Sequence, residues 1–226
     1  MLHKVKSKIY KKRRGSILIQ NKIYTIIGHK GYGKTTLTEK LAILTDKPTI
    51  ILDPRFQYEE NIRRLVFTSV SKFHKFITKR DNYKLFMKHK LELVVNTIDE
   101  AEELAETIFK MKNITFVIDE IDMFFDTRTD KKSYFNKLVQ YGRHNRIDII
   151  TTSRRPANIS RNLTALTDIF IFSRLREPND KKYIKALLDS SYAEMIADLN
   201  KFEFLRIEDE KKEIIKTTEK DLQILS

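Results

Sequence analysis

IYTIIGHKGYGKTTLTEKLAILT, residues 23–45, opens on a short, mostly apolar run and meets three glycines within six residues. A lysine, two threonines and a helical pattern follow. Within it, GHKGYGKT fits G-x-x-x-x-G-K-[ST], with Gly28, Gly33, Lys34 and Thr35 at the defining positions. Glycines let a chain turn tightly enough for several backbone N–H groups to converge on phosphate oxygens. A helix that begins at the turn adds the positive end of its dipole. Gly28, His29, Lys30, Gly31, Tyr32, Gly33, Lys34, Thr35 and Thr36 are therefore expected to cradle a nucleoside triphosphate, ATP. Lys34 is assigned the β- and γ-phosphates, and the Thr35 hydroxyl is assigned Mg²⁺. The His29 side chain carries no role of its own, and that of Lys30 can equally meet phosphate or solvent.

Working outward, short apolar runs alternate with helical patterns. Strands are expected at 16–19, 23–27, 49–52, 64–67, 91–96, 114–118, 148–152 and 169–172. Helices are expected at 34–44, 70–79, 98–111, 131–144, 159–166 and 180–197. The alternation predicts an α/β fold, a mainly parallel sheet with helices on both faces. The segment FEFLRIEDEKKEIIKTT predicts a terminal β-hairpin that turns near Glu208–Lys211. Residues 1–14 form a basic arm, and 15–226 are expected to be a single domain.

The strand at 114–118 ends in Asp119 and Glu120. Ligands of open α/β sheets bind at such carboxyl ends. Asp119 is expected to hold Mg²⁺ through its water, and Glu120 to polarise the water that attacks the γ-phosphate. A small-molecule phosphotransferase has no need of that base, and no lid is recognisable. Asp53, at the end of TIILD, has two readings: a group behind the metal, or a turn residue before Pro54.

Composition narrows the partners. The chain carries 44 basic and 31 acidic residues, a net charge of +13. Seven of the basic residues lie in the first fourteen positions, which leaves +6 on the rest. Such a balance attracts polyanions, nucleic acid first, although a solvated tail would look the same. With no cysteine, disulfides, thiolate metal sites and cysteine nucleophiles are excluded. The five histidines, at 3, 29, 74, 89 and 144, lack metal-ligand spacing. No apolar run approaches the roughly 18–20 residues of a membrane span, and a soluble, intracellular protein is expected.

The stretch YGRHNRIDIITTSRRPANISRNLTALTDIFIFSRLREPND, residues 141–180, resembles the FtsK/HerA superfamily of ring-forming, DNA-pumping ATPases. The resemblance lies in Gly142-Arg143, the apolar strand, the TSRRP element, the short helix, the IFIF strand and Arg174; LDP at 52–54 adds to it. The compact chain is similar to the small genome-packaging ATPases of membrane-containing viruses with double-jelly-roll capsids. The resemblance implies a RecA-like P-loop NTPase, ATP with Mg²⁺, a homo-oligomeric ring, here a hexamer, and double-stranded DNA as cargo. It further implies a capsid or virion membrane vertex as docking partner, and a location in the host cytoplasm or on the virion. A plasmid or cellular HerA-like pump and an ATP-switched DNA-binding module are the alternatives. By family position Arg143 is the cation supplied to a neighbouring subunit's site, with Arg146 second; the competing reading is a helix end whose dipole favours a cation. Ser153 stands where the family carries a glutamine that senses the γ-phosphate, so a sensor role falls to a shorter side chain. Arg154, Arg155, Arg161, Arg174 and Arg176 can face DNA, a subunit interface or solvent.

Overall fold

The computed structural model describes residues 21–45, 47–58, 64–79, 81–88, 90–94, 97–129, 132–208 and 211–216. The strand expected at 16–19 and the basic arm lie outside the described residues. In chain order the elements begin with β1 (Ile23–Ile27), α1 (Lys34–Leu44), β2 (Thr49–Leu52) and β3 (Arg64–Phe67). α2 (Val70–Ile77), α3 (Asn82–Lys88), β4 (Lys90–Leu93), α4 (Ile98–Lys110) and β5 (Thr115–Ile118) follow. Then come α5 (Tyr134–Tyr141), β6 (Asp148–Ser153), α6 (Arg161–Leu166) and β7 (Ile169–Phe172). The described chain closes with α7 (Pro178–Leu187), α8 (Ser190–Asp198), β8 (Glu203–Glu208) and β9 (Lys211–Lys216).

The strands form one nine-stranded sheet in the order β3-β4-β2-β5-β6-β1-β7-β8-β9. From β3 to β7 every neighbouring pair is parallel. β8 and β9 are antiparallel, and Glu208 lies opposite Lys211, as the hairpin reading expects. The inner strands are apolar almost throughout because both faces of the sheet are covered. Alternation still sorts their side chains. Ile27, Leu52, Ile118 and Ile149 pack with α4, α5 and α8, whereas Tyr24, Ile26, Ile51, Val117 and Ile150 pack with Leu37 and Ala42 of α1.

Helix boundaries follow their caps. Ser69, Thr97, Ser133 and Asp189 accept backbone N–H bonds at the starts of α2, α4, α5 and α8. The last of these corrects the sequence reading of one helix over 180–197. Asp189 accepts from Ser191 N at 2.7 Å and Tyr192 N at 3.2 Å, which starts a second helix after Leu187. α3 was not expected at all. α5 starts at Tyr134 and gives way at Gly142 to a 3₁₀ turn. Among the described residues no helix is long and apolar enough to cross a membrane.

β1 lies between β6 and β7, so the glycine loop leaves the middle of the sheet. β5 stands one strand further out, beyond β6. The register pairs Ile27 with Ser153 and Ile118 with Thr151, which brings Asp119 level with Thr152 beside the loop.

Candidate active site

The loop is built by close approach. Gly28 N donates to Ser153 O at 3.1 Å and His29 N to Arg174 O at 2.9 Å, so β6 and the end of β7 hold its entry. A Cβ at Gly28 would sit 1.8 Å from Ser173 Oγ, which only glycine avoids. Gly33, at φ 91°, turns the chain into α1, and no side chain caps that helix. The first N–H groups of α1 therefore remain available to an anion.

Lys34 folds back over the loop: its Nζ donates to Gly28 O at 2.8 Å and to His29 O at 3.2 Å. Burial lowers its pKa to about 8, against the pull of Asp119. Asp119 is almost fully buried, and burial raises its pKa to about 6 although Thr152 donates to Oδ1. Its Oδ2 is buried with no hydrogen-bond partner. That orphaned oxygen, in one cavity with the Thr35 side chain, fits a hard cation bound by few protein oxygens and completed by water and phosphate. Among the described residues no cluster of three or more metal-ligating acids or histidines offers an alternative.

Glu120 stands in the left-handed region at φ 49°, a conformation that costs a non-glycine residue on the order of 1–3 kcal/mol. Its backbone N donates to Thr152 Oγ1 at 3.0 Å. Its carboxylate is gripped by two arginines: Arg55 Nε lies 3.0 Å from Oε2, and Arg154 Nη2 meets Oε1. The two arginines occupy both carboxylate oxygens, so a pairing must open before a water can reach the group.

Lys30, Lys34, Thr35, Asp119, Glu120, Thr152 and Arg154 line one cavity of about 350 Å³, which Gln57, Lys201 and Phe202 complete. The structure thus brings the loop and both acids together. Ser153 touches the loop only through its backbone and does not line the cavity: it is fully buried, and its hydroxyl accepts from Arg155 N and donates to Arg155 O, both at 3.2 Å. Thr152 and Arg154, on either side, reach the cavity instead. Sequence reasoning gave Thr152 no role, although two threonines ending an apolar strand were the visible signal. Arg55 was missed as well.

Asp53 is a turn residue. It is fully buried, and its carboxylate accepts from Arg55 N at 2.9 Å, Gln57 N at 2.5 Å and Tyr58 N at 3.2 Å. The turn it shapes delivers Arg55 to Glu120. Arg143 and Arg146 are exposed on the turn after α5 and do not line the cavity. His29 and Tyr32 pack edge to face at 5.9 Å, and Arg174 donates to Tyr32 Oη at 3.3 Å. With Lys30, Arg154, Arg155 and Arg176 they line a second cavity of about 490 Å³. Arg155 is paired with Glu177 at 3.1 Å, and Arg161 is exposed at the start of α6.

The family model for ATPases associated with various cellular activities (AAA) matches residues 24–175. No curated protein matches the sequence. The fold is similar to that of the genome packaging NTPase B204 from Sulfolobus turreted icosahedral virus 2 in complex with ATP-gammaS. That match has a TM-score of 0.71 at 20% identity and covers 86% of this chain and 96% of that one. VirB4 of Thermoanaerobacter pseudethanolicus matches with a TM-score of 0.61 at 12% identity, over 90% and 91% of the two chains. The pCW3 conjugation coupling protein TcpA matches with 0.58 at 14% identity, over 86% of this chain and 59% of that one.

Proposed function

From the premise that the chain belongs to the AAA family of ATPases, we propose that it is an FtsK/HerA-type motor that moves double-stranded DNA, in the manner of a viral genome-packaging ATPase. The observation that carries this reading is the match to the packaging NTPase B204, which is nearly end to end on both chains. The net charge of +13 supports a polyanionic cargo.

In this reading the N–H groups of residues 30–36 and the Lys34 ammonium hold the triphosphate of ATP, while those of Gly28 and His29 anchor the loop to Ser153 O and Arg174 O. Thr35 and the free oxygen of Asp119 would hold Mg²⁺, which draws charge from the β- and γ-oxygens when bound. Thr152 fixes Asp119 and the backbone of Glu120 at once. Glu120 takes the proton of the attacking water after Arg154 leaves it; the γ-phosphate, entering the same cavity, is the anion that competes for that arginine. Ser153 shapes the loop entry and its own turn.

Arg143 is exposed and does not line its own cavity, so its role in hydrolysis falls at another subunit's site. This motivates a homo-oligomeric ring, by family analogy a hexamer. Arg143→Ala should bind ATP but not hydrolyse it, and Lys34→Ala should lack its own pocket yet keep a sound Arg143. Mixing the two inactive proteins should restore part of the ATPase activity, rising and falling with the mixing ratio. Absence of recovery in mixtures shown to co-assemble would remove Arg143 from the role and pass it to Arg146.

The twofold pairing of Glu120 favours a second reading, an ATP-switched DNA-binding module with slow turnover. ATP-driven movement along duplex DNA separates motor from switch. The TcpA likeness keeps a plasmid-borne pump within the same class. Residues 1–14 are proposed as an arm for DNA phosphates or for a capsid or membrane vertex, with the protein in the host cytoplasm or on the virion.

A further inference from the structure

We propose that Phe202, on the turn that opens β8, is the platform on which the purine ring of the nucleotide stacks. The inference rests on the reading of Gly28–Thr36 as a phosphate loop.

The topology sets the direction of the bound molecule. Asp119, Glu120 and Thr152 stand over β5 and β6, on one side of β1. The γ-phosphate must lie there, because the acids that act on it do. The nucleoside must then lie on the other side of β1, over β7 and β8. β8 runs antiparallel to β7, so its first residues come to the same end of the sheet as the loop. Lys201 and Phe202, just before β8, line the same cavity as Thr35 and Thr36.

The ring is tied to the loop. A Cβ at Gly33 would fall 2.4 Å from Phe202 Cδ1, so the aromatic edge rests where only glycine leaves room. The turn beneath it is stiff: Glu203 Oε2 accepts from Asn200 N and Nδ2, both at 3.0 Å, and Glu203 N donates to Asn200 O at 3.0 Å. Phe202 itself has φ 63°, a region that glycine or asparagine enters readily and a bulky aromatic rarely does. The backbone therefore gives no reason for phenylalanine; a half-buried ring at the nucleoside end of a phosphate cavity does. The exposed Lys201 ammonium lies 4.9 Å from the ring centroid. An incoming base displaces this weak contact and leaves the cation near the triphosphate.

The test compares ATP with inorganic tripolyphosphate, which has the phosphates and no base, by calorimetric titration in Mg²⁺. Phe202→Ala should weaken ATP about 5- to 100-fold, the range of lost aromatic–base stacking, and leave tripolyphosphate within about twofold. Phe202→Asn, which suits the turn, should behave like Phe202→Ala, and Phe202→Trp should bind ATP as the wild type does. Equal weakening of both ligands, or no weakening of ATP, would reduce Phe202 to a support for Gly33 and overturn the proposal. A wild-type protein that binds neither ligand would overturn the phosphate-loop reading itself, and the proposal with it.

Discussion

Glu120→Gln should bind Mg-ATP as tightly as the wild type and hydrolyse it at least ~10²-fold more slowly, the scale of a lost general base. The amide keeps the shape of the side chain and its backbone bond to Thr152, so Asp119 stays where it is. What it loses is the ability to take a proton from water. The change also cancels the charge that Arg55 and Arg154 grip. Those side chains are 44% and 30% exposed, so water can receive them and the fold should lose little. Single-turnover hydrolysis and equilibrium titration of the same preparation read the two quantities separately. Loss of binding in step with hydrolysis would point to a damaged metal site, and the role of base would pass from Glu120.

Lys34→Ala should abolish tight Mg-ATP binding, a loss of about 3 kcal/mol or more, on the order of 10²-fold. The substitution removes the cation assigned to the β- and γ-phosphates. It also frees the carbonyls of Gly28 and His29, which the ammonium now ties together, and so loosens the cradle. A third consequence follows for Asp119. Burial already holds its pKa at about 6, and Lys34 opposes that rise. Without the ammonium the carboxyl should climb further and hold a cation less well near neutral pH. An affinity within about twofold of wild type, less than 0.5 kcal/mol, would contradict the phosphate-loop assignment.

The loop was legible because its chemistry is local. Strand, glycines, Lys34 and helix are contiguous, and each constrains the next. Asp119 and Glu120 were legible for the same reason, as acids at the end of an apolar strand. The arrangement around them was not, because it arises from strands that are neighbours only in space. Thr152 joins Asp119 to Glu120 across 32 residues or more, and Arg55 reaches Glu120 from the turn after β2. No spacing rule encodes those meetings. Asp53 shows the opposite case: its turn was readable from Asp-Pro, but the choice between metal and turn needed the three N–H groups it accepts. The break between α7 and α8 was written in Asp189-Ser190-Ser191, a cap signal that apolar periodicity on both sides obscured. Ser153 was read by family position, and its register on β6 brings its neighbours Thr152 and Arg154 to the cavity instead.

ATP hydrolysis in this cavity is proposed to move the protein along duplex DNA. Displacement of a third strand annealed to one end of a linear duplex reads that movement directly. With Mg-ATP the wild-type protein should strip the third strand after a lag that lengthens with the duplex in front of it. Glu120→Gln should bind the same DNA and release nothing. A wild-type protein that binds the duplex and turns over ATP, yet leaves the third strand in place at every duplex length, would contradict the account and identify a nucleotide-switched binding module.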